Sequence, residues 1–135
     1  MDKACTYSAM EAPLLAIGEA GTDIVPAVYD RFFTRFPEER AKFLNFEAAA
    51  ERMVNETLEA LVGLSENASW AETTVINFVD LHRDYGVIAQ RVYAGFVDIV
   101  VEAVGEAAGD AWTPASKAAW HTQAQRLKAM IAAAG

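Results

Sequence analysis

The chain has 135 residues, 53% of them hydrophobic and 22% charged, a balance that suits one compact domain, 1–135, around one core. Its 19 acidic side chains outnumber 11 basic ones, for a net charge of -8. That sign argues against nucleic acid, whose affinity comes largely from neutralising phosphates, and against docking on anionic membranes.

No strand-like alternation is sustained anywhere in the sequence, so an all-α fold is expected. The first helix is predicted over 7–19, ending near Gly21. The second takes Thr22 or Asp23 as its cap and tolerates Pro26 in its first turn. Ile24, Val28 and Phe32 form one apolar row on it, with Val25, Tyr29, Phe33 and Phe36 beside them. Pro37 should end it, because a residue before proline is pushed out of helical geometry. A short helical corner follows through Phe43, and a fourth helix is predicted over 47–64. That helix sets Met53, Thr57, Leu61 and Leu64 on one face, with Val54 and Leu58 alongside.

Ser69 to Glu72 has the spacing of a capping box and opens a fifth helix, which Gly86 ends. Val75, Phe78, Val79 and His82 share one of its faces. The sixth helix, over 89–108, buries Val92, Phe96, Ile99 and Val100. Its apolar stretch 92–101 is interrupted by Asp98 and is too short for a bilayer. Gly109-Asp110 breaks the chain, and Thr113-Pro114 caps a last helix whose core face is Trp120, Ala124, Leu127 and Ile131. Cys5 stands alone, which leaves no intrachain disulfide and no cysteine cluster. The first residues lack the apolar core of a signal peptide, and a cytoplasmic location is expected.

Only two histidines are present. His121 falls beside Gln125 and Lys128 on the polar face of the last helix and reads as a solvated surface residue. His82 lies on an apolar row, where two readings stand. It is either a core histidine satisfied by a backbone carbonyl, or an axial metal ligand. One imidazole without Cys, Asp or Glu partners makes no closed zinc site. A macrocycle that supplies four nitrogens needs only one such imidazole, so haem iron is the metal this pattern would suit.

Three segments together resemble a known family. Residues 29–43 (YDRFFTRFPEERAKF), residues 82–87 (HRDYGV), and the stretch 105–120 with Gly109-Asp110 and Ala119-Trp120 are similar to bacterial single-domain globins and to the globin part of flavohaemoglobins. The likeness runs over about residues 10–130. It implies a globin fold of three helices packed over three, and a non-covalent haem b, since no Cys-x-x-Cys-His is present.

By position, the resemblance makes His82 the proximal ligand, its outer N–H donating to a carbonyl near Phe78. Phe43 and Phe46 would lie against the haem, a use compatible with their being ordinary core aromatics. Val87 belongs to the turn after the histidine. Tyr29 resembles the tyrosine whose hydroxyl points at bound O2, the other reading being a core tyrosine bonded elsewhere. Met53 stands where a distal histidine or glutamine is usual. It either closes the pocket as an adaptable apolar residue or ligates iron opposite His82. Thr57, one turn on, is a second polar candidate facing the ligand.

Tyr93 matches a tyrosine that, in flavohaemoglobins, joins the proximal histidine and a carboxylate of the last helix; this chain has no Asp or Glu after Asp110. The implied function is reversible binding or transport of O2, NO or CO, with NO dioxygenation if an external reductase supplies electrons. The sequence carries no Gly-rich dinucleotide fingerprint of its own. The alternatives are a gas or redox sensor on the same fold, and electron transfer through a six-coordinate haem.

Overall fold

The computed structural model describes residues 3–42, 46–67, 69–83 and 90–134, with the side chains of 3–7, 42, 78, 80–83 and 134 excepted. Six α-helices follow one another: α1 (Lys3–Ala20), α2 (Val25–Arg35), α3 (Phe46–Ser65), α4 (Trp70–Arg83), α5 (Gln90–Ala108) and α6 (Pro114–Ala134). A 3₁₀ corner, Pro37–Lys42, joins α2 to α3, and a shorter one, Gly109–Ala111, precedes α6. Among the described residues every regular element is helical, and no helix is long and apolar enough to cross a membrane.

The helix ends follow local chemistry. The cap expected at Thr22 or Asp23 is met only in part: Asp23 Oδ1 accepts the Val25 N–H at 3.0 Å. It acts from one residue before Ile24, which holds the N-cap position itself. Phe36, at φ -133° and ψ 66°, has left helical geometry just before Pro37, as the proline requires. Thr113 Oγ1 accepts the Ser116 N–H at 3.1 Å, and Pro114 occupies the first turn of α6, where a missing N–H costs nothing. Two helices, α1 and α3, run longer than predicted from the sequence. The first helix begins at Lys3, and α3 starts at Phe46 and runs to Ser65, one residue beyond the predicted range at each end.

Helices α1, α3 and α4 form one layer, and α2, α5 and α6 the other. Within the first, α3 packs on α1 and on α4; within the second, α5 packs on α2 and on α6. Across the layers, α6 crosses α1, α3 and α4, while α3 also meets α2 and α5. The predicted packing of three helices over three is therefore present.

The core runs through α5, which buries Val92, Phe96, Ile99 and Val100 as expected, with Val97, Val101 and Val104 as well. From α6, Trp120, Ala124, Leu127 and Ile131 are all buried. Trp120 is fully enclosed, and its Nε1 donates to the Met10 carbonyl at 3.1 Å, tying α6 to α1. On α2 the row Ile24, Val28, Phe32 is buried, whereas Val25, Phe33 and Phe36 lie at its half-buried edge.

Close approach of α2 to α5 depends on one small residue. A Cβ at Gly95 would stand 2.6 Å from Phe36 Cε2 and Cζ, so the Phe36 ring occupies the space that a side chain there would need. That crossing carries Tyr29 to within ring contact of Phe96, with centroids 5.9 Å apart.

Candidate functional site

The face of α3 turned to the core repeats at helical spacing: Ala50, Val54, Thr57, Leu61 and Leu64 are all buried. Tyr29 of α2 meets the start of this face. It is only 3% exposed, and its hydroxyl donates to the Ala50 carbonyl at 2.9 Å. Ala50 lies one turn before Met53 and two before Thr57, so the tyrosine reaches α3 on the side that carries both predicted distal residues.

The Tyr29 ring sits in an aromatic group. Phe46 stands edge-on at 4.9 Å, with Phe33 at 5.7 Å. Outside them the Arg40 guanidinium lies 4.4 Å over the Phe46 ring and 5.3 Å from that of Phe33, a cation held against aromatic faces at the protein surface. Burial pushes the Tyr29 pKa above the ordinary tyrosine value, and the nearby Arg52 charge only partly opposes it. The hydroxyl is therefore a neutral donor throughout the physiological range.

Met53 is half-buried. Thr57 is buried, and its hydroxyl donates to the Met53 carbonyl at 2.8 Å, back along its own helix. Tyr93 of α5 is 9% exposed and has interactions within the protein. His82 and Phe78 occupy positions on α4; the position of His82 continues the row of the buried Val75 and Val79. The side chains of both lie outside the described residues, as do Phe43 and Val87 altogether.

The structure thus brings Tyr29 and Phe46 into direct contact and sets Met53 and Thr57 along the adjoining face of α3. Sequence reasoning missed two participants. One is the Ala50 carbonyl, a backbone acceptor that no side-chain pattern announces. The other is Arg40, whose distance from Phe33 and Phe46 along the chain hides their contact across the α2–α3 corner.

His121 is exposed, as its sequence position implied. It borders a separate groove of about 830 Å³ between α2, α5 and α6, floored by Val101, Gly105 and Trp112. Ion pairs wall this groove: Arg35 with Glu102 at 2.7 Å, Lys128 with Asp98 at 2.8 Å, and Arg31 with Glu106. Side-chain hydrogen bonding to Glu102 is the main reason the Arg35 pKa lies above its ordinary value. Among the described residues, none of those predicted for haem or gas lines the groove.

Among the described residues no three His, Cys, Asp or Glu side chains cluster as a metal site would require. The Tyr29 side of α3 offers aromatic rings, a thioether and neutral hydroxyls. Such a donor set fits a prosthetic group that brings its own metal ligands and asks the protein for one imidazole and apolar walls. The globin family model matches residues 26–131 of the chain. Comparison with curated proteins returned no match.

Proposed function

The chain belongs to the globin family, and on that premise we propose that it holds one haem b through His82 and binds O2, or another diatomic gas, on the side bounded by Tyr29, Met53 and Thr57. Haem-based gas binding is what membership of the family implies. The observation that carries the finer reading is the buried Tyr29 hydroxyl placed against α3 one turn before Met53.

In this reading His82 would hold the haem iron through its imidazole, and Phe43, Phe46, Phe78, Val87 and Tyr93 would line the haem. Bound there, the group would provide an iron centre able to take a gas molecule as a ligand. Tyr29 provides a proton donor that burial keeps neutral. The rings of Phe33, Phe46 and Phe96 hold it in place and exclude water from one side of the pocket. Met53 fills the pocket without ligating iron. Retention of haem is non-covalent, since Cys5 is the only cysteine.

The chemistry associated with gas binding is oxidation of NO by O2, with electrons from a reductase outside this sequence. The likeness to flavohaemoglobins motivates this step. Tyr93 finds no acid on α6 to complete the network seen in that family, because the sequence has no Asp or Glu after Asp110. A cytoplasmic location belongs to the same proposal.

The test is the absorption spectrum of the purified, reduced protein with and without CO. One haem per chain and a CO-shifted spectrum are expected. His82→Ala should lose most of its haem, and His121→Ala should keep it. Equal haem content in both variants would remove His82 from the site.

A further inference from the structure

Among the described residues, the acceptors of the Arg126 guanidinium, on α6, are neutral. Its Nη1 donates to the Leu64 carbonyl at 2.7 Å and to Gln123 Oε1 at 2.9 Å, and its Nη2 to Asn67 Oδ1 at 3.3 Å. Leu64 is the next-to-last residue of α3, where carbonyls lack partners within the helix. That carbonyl also accepts the Asn67 N–H at 3.0 Å, so the guanidinium and the turn amide share one acceptor at the negative end of the α3 dipole. Gln123 is buried and gives the fork a fixed abutment on α6. Asn67 holds the left-handed turn, φ 55°, that reverses the chain after α3.

Three residues after Asn67, at Trp70, α4 begins. Its first residue, Trp70, lays its ring on Gly63 of α3, where a Cβ would stand 2.5 Å from Cη2. Beyond this elbow the described side chains that α4 buries are small: Ala71, Val75 and Val79. Helix α4 packs on α3 and α6, and a shift at its first turn is carried along the helix axis. Twelve residues separate Trp70 from His82, about 18 Å along the helix axis. A tilt of about 5° at the elbow would displace the far end by about 1.6 Å at that rise.

We propose that Arg126 is a positioning residue: it locks the α3–α4 elbow and thereby sets where α4 presents His82. The inference rests on the reading of His82 as the haem ligand.

Four proteins test it: the parent, Arg126→Met, Arg126→Lys, and Ile131→Val as a control that loosens the same helix from its buried face. Two measurements are made on each. One is amide hydrogen exchange of the haem-free chain, which needs no cofactor. The other is haem release from the loaded chain to an excess of a haem-scavenging apoprotein. In Arg126→Met, exchange should quicken over residues 66–83 and not over α1 or α5. Haem release should rise about tenfold, the lower end of what losing a supporting partner of a metal ligand costs. Arg126→Lys, which keeps a donor for the Leu64 carbonyl, should restore most of both properties, and Ile131→Val should change haem release little.

Faster exchange spread evenly over all helices, or haem release no faster than in the control, would overturn the positioning role. Failure of the parent itself to hold haem would instead reject the haem reading, and the exchange comparison would still decide whether Arg126 fixes α4.

Discussion

Tyr29→Phe separates what the tyrosine does for the fold from what it does for a ligand. The substitution keeps the ring and its packing on Phe33, Phe46 and Phe96, and removes one hydroxyl and its 2.9 Å bond to the Ala50 carbonyl. A bond of this kind contributes about 0.5–1.5 kcal/mol net. Ala50 lies inside α3, so its carbonyl keeps the partner of the helix ladder and is not left bare. The expected loss in the haem-free protein is thus about 1 kcal/mol, seen as a urea midpoint lower by about 0.5 M at the slope usual for small proteins.

Ligand binding adds a second term. The hydroxyl has one proton, so donating to a gas molecule means leaving Ala50. A bond to a ligand that carries partial charge contributes about 1.5–3 kcal/mol. Subtracting about 1 kcal/mol for the bond given up leaves about 0.5–2 kcal/mol, or an O2 affinity lowered about 2- to 30-fold in the variant. CO, less polar when bound, should respond much less. Flash photolysis and stopped-flow release of both gases measure this. Equal effects on O2 and CO would show that the hydroxyl never reaches the ligand, and an unchanged urea midpoint would refute the Ala50 bond.

The same variant has an alkaline signature. Burial raises the Tyr29 pKa in the folded chain, whereas the unfolded chain releases that proton near pH 10. The contribution is fully present below that value and falls as pH rises beyond it, because the unfolded state then binds fewer protons. Urea titrations between pH 8 and 11 should show a steeper loss in the parent than in Tyr29→Phe.

Gly95→Ala forces a methyl to within 2.6 Å of the Phe36 ring and should destabilise the protein by about 1–3 kcal/mol; an unchanged melting temperature would mean that α2 and α5 can part without cost. Met53→Leu, at a half-buried position, should leave the ferrous spectrum unchanged, and a six-coordinate spectrum that vanishes in the variant would make Met53 an iron ligand and favour electron transfer. Trp120→Phe removes the donor to the Met10 carbonyl and part of a fully buried ring, for a loss of about 2 kcal/mol by denaturant titration.

The helices were legible because their signals are local and periodic. Pro37 stops α2, Thr113-Pro114 starts α6, and the rows Val28–Phe32 and Trp120–Ala124–Leu127–Ile131 repeat at helical spacing and are buried. What the sequence withheld are partners distant along the chain. Nothing near Tyr29 indicates that its proton goes to a carbonyl twenty-one residues away, and nothing near Arg126 indicates the end of α3. Backbone acceptors carry no residue identity, so a pattern of side chains cannot point to them. Glycines with a packing role are hidden for a related reason: Gly95 and Gly63 lie within helices, where the residue alone suggests a weak point and only the rings of Phe36 and Trp70 reveal the use.

These hidden acceptors bear on how the pocket would discriminate among gases. Both hydroxyls on its α3 side are already engaged, Tyr29 with the Ala50 carbonyl and Thr57 with the Met53 carbonyl. Among the described residues no buried side-chain nitrogen or oxygen lacks a partner. In the proposed site an apolar gas would bind without disturbing these hydrogen bonds. A polar ligand must instead compete with α3 for the tyrosine proton, so its advantage over CO is the difference between two hydrogen bonds rather than the whole of one. Anything that weakens the Ala50 contact should therefore raise O2 affinity while Tyr29 remains. A small displacement of the first turn of α3 would do so, and Arg40, stacked on Phe46 at the start of that turn, is placed to resist it. In the proposed site, tight O2 binding and retention of the Ala50 contact would thus pull against each other through a single proton on Tyr29.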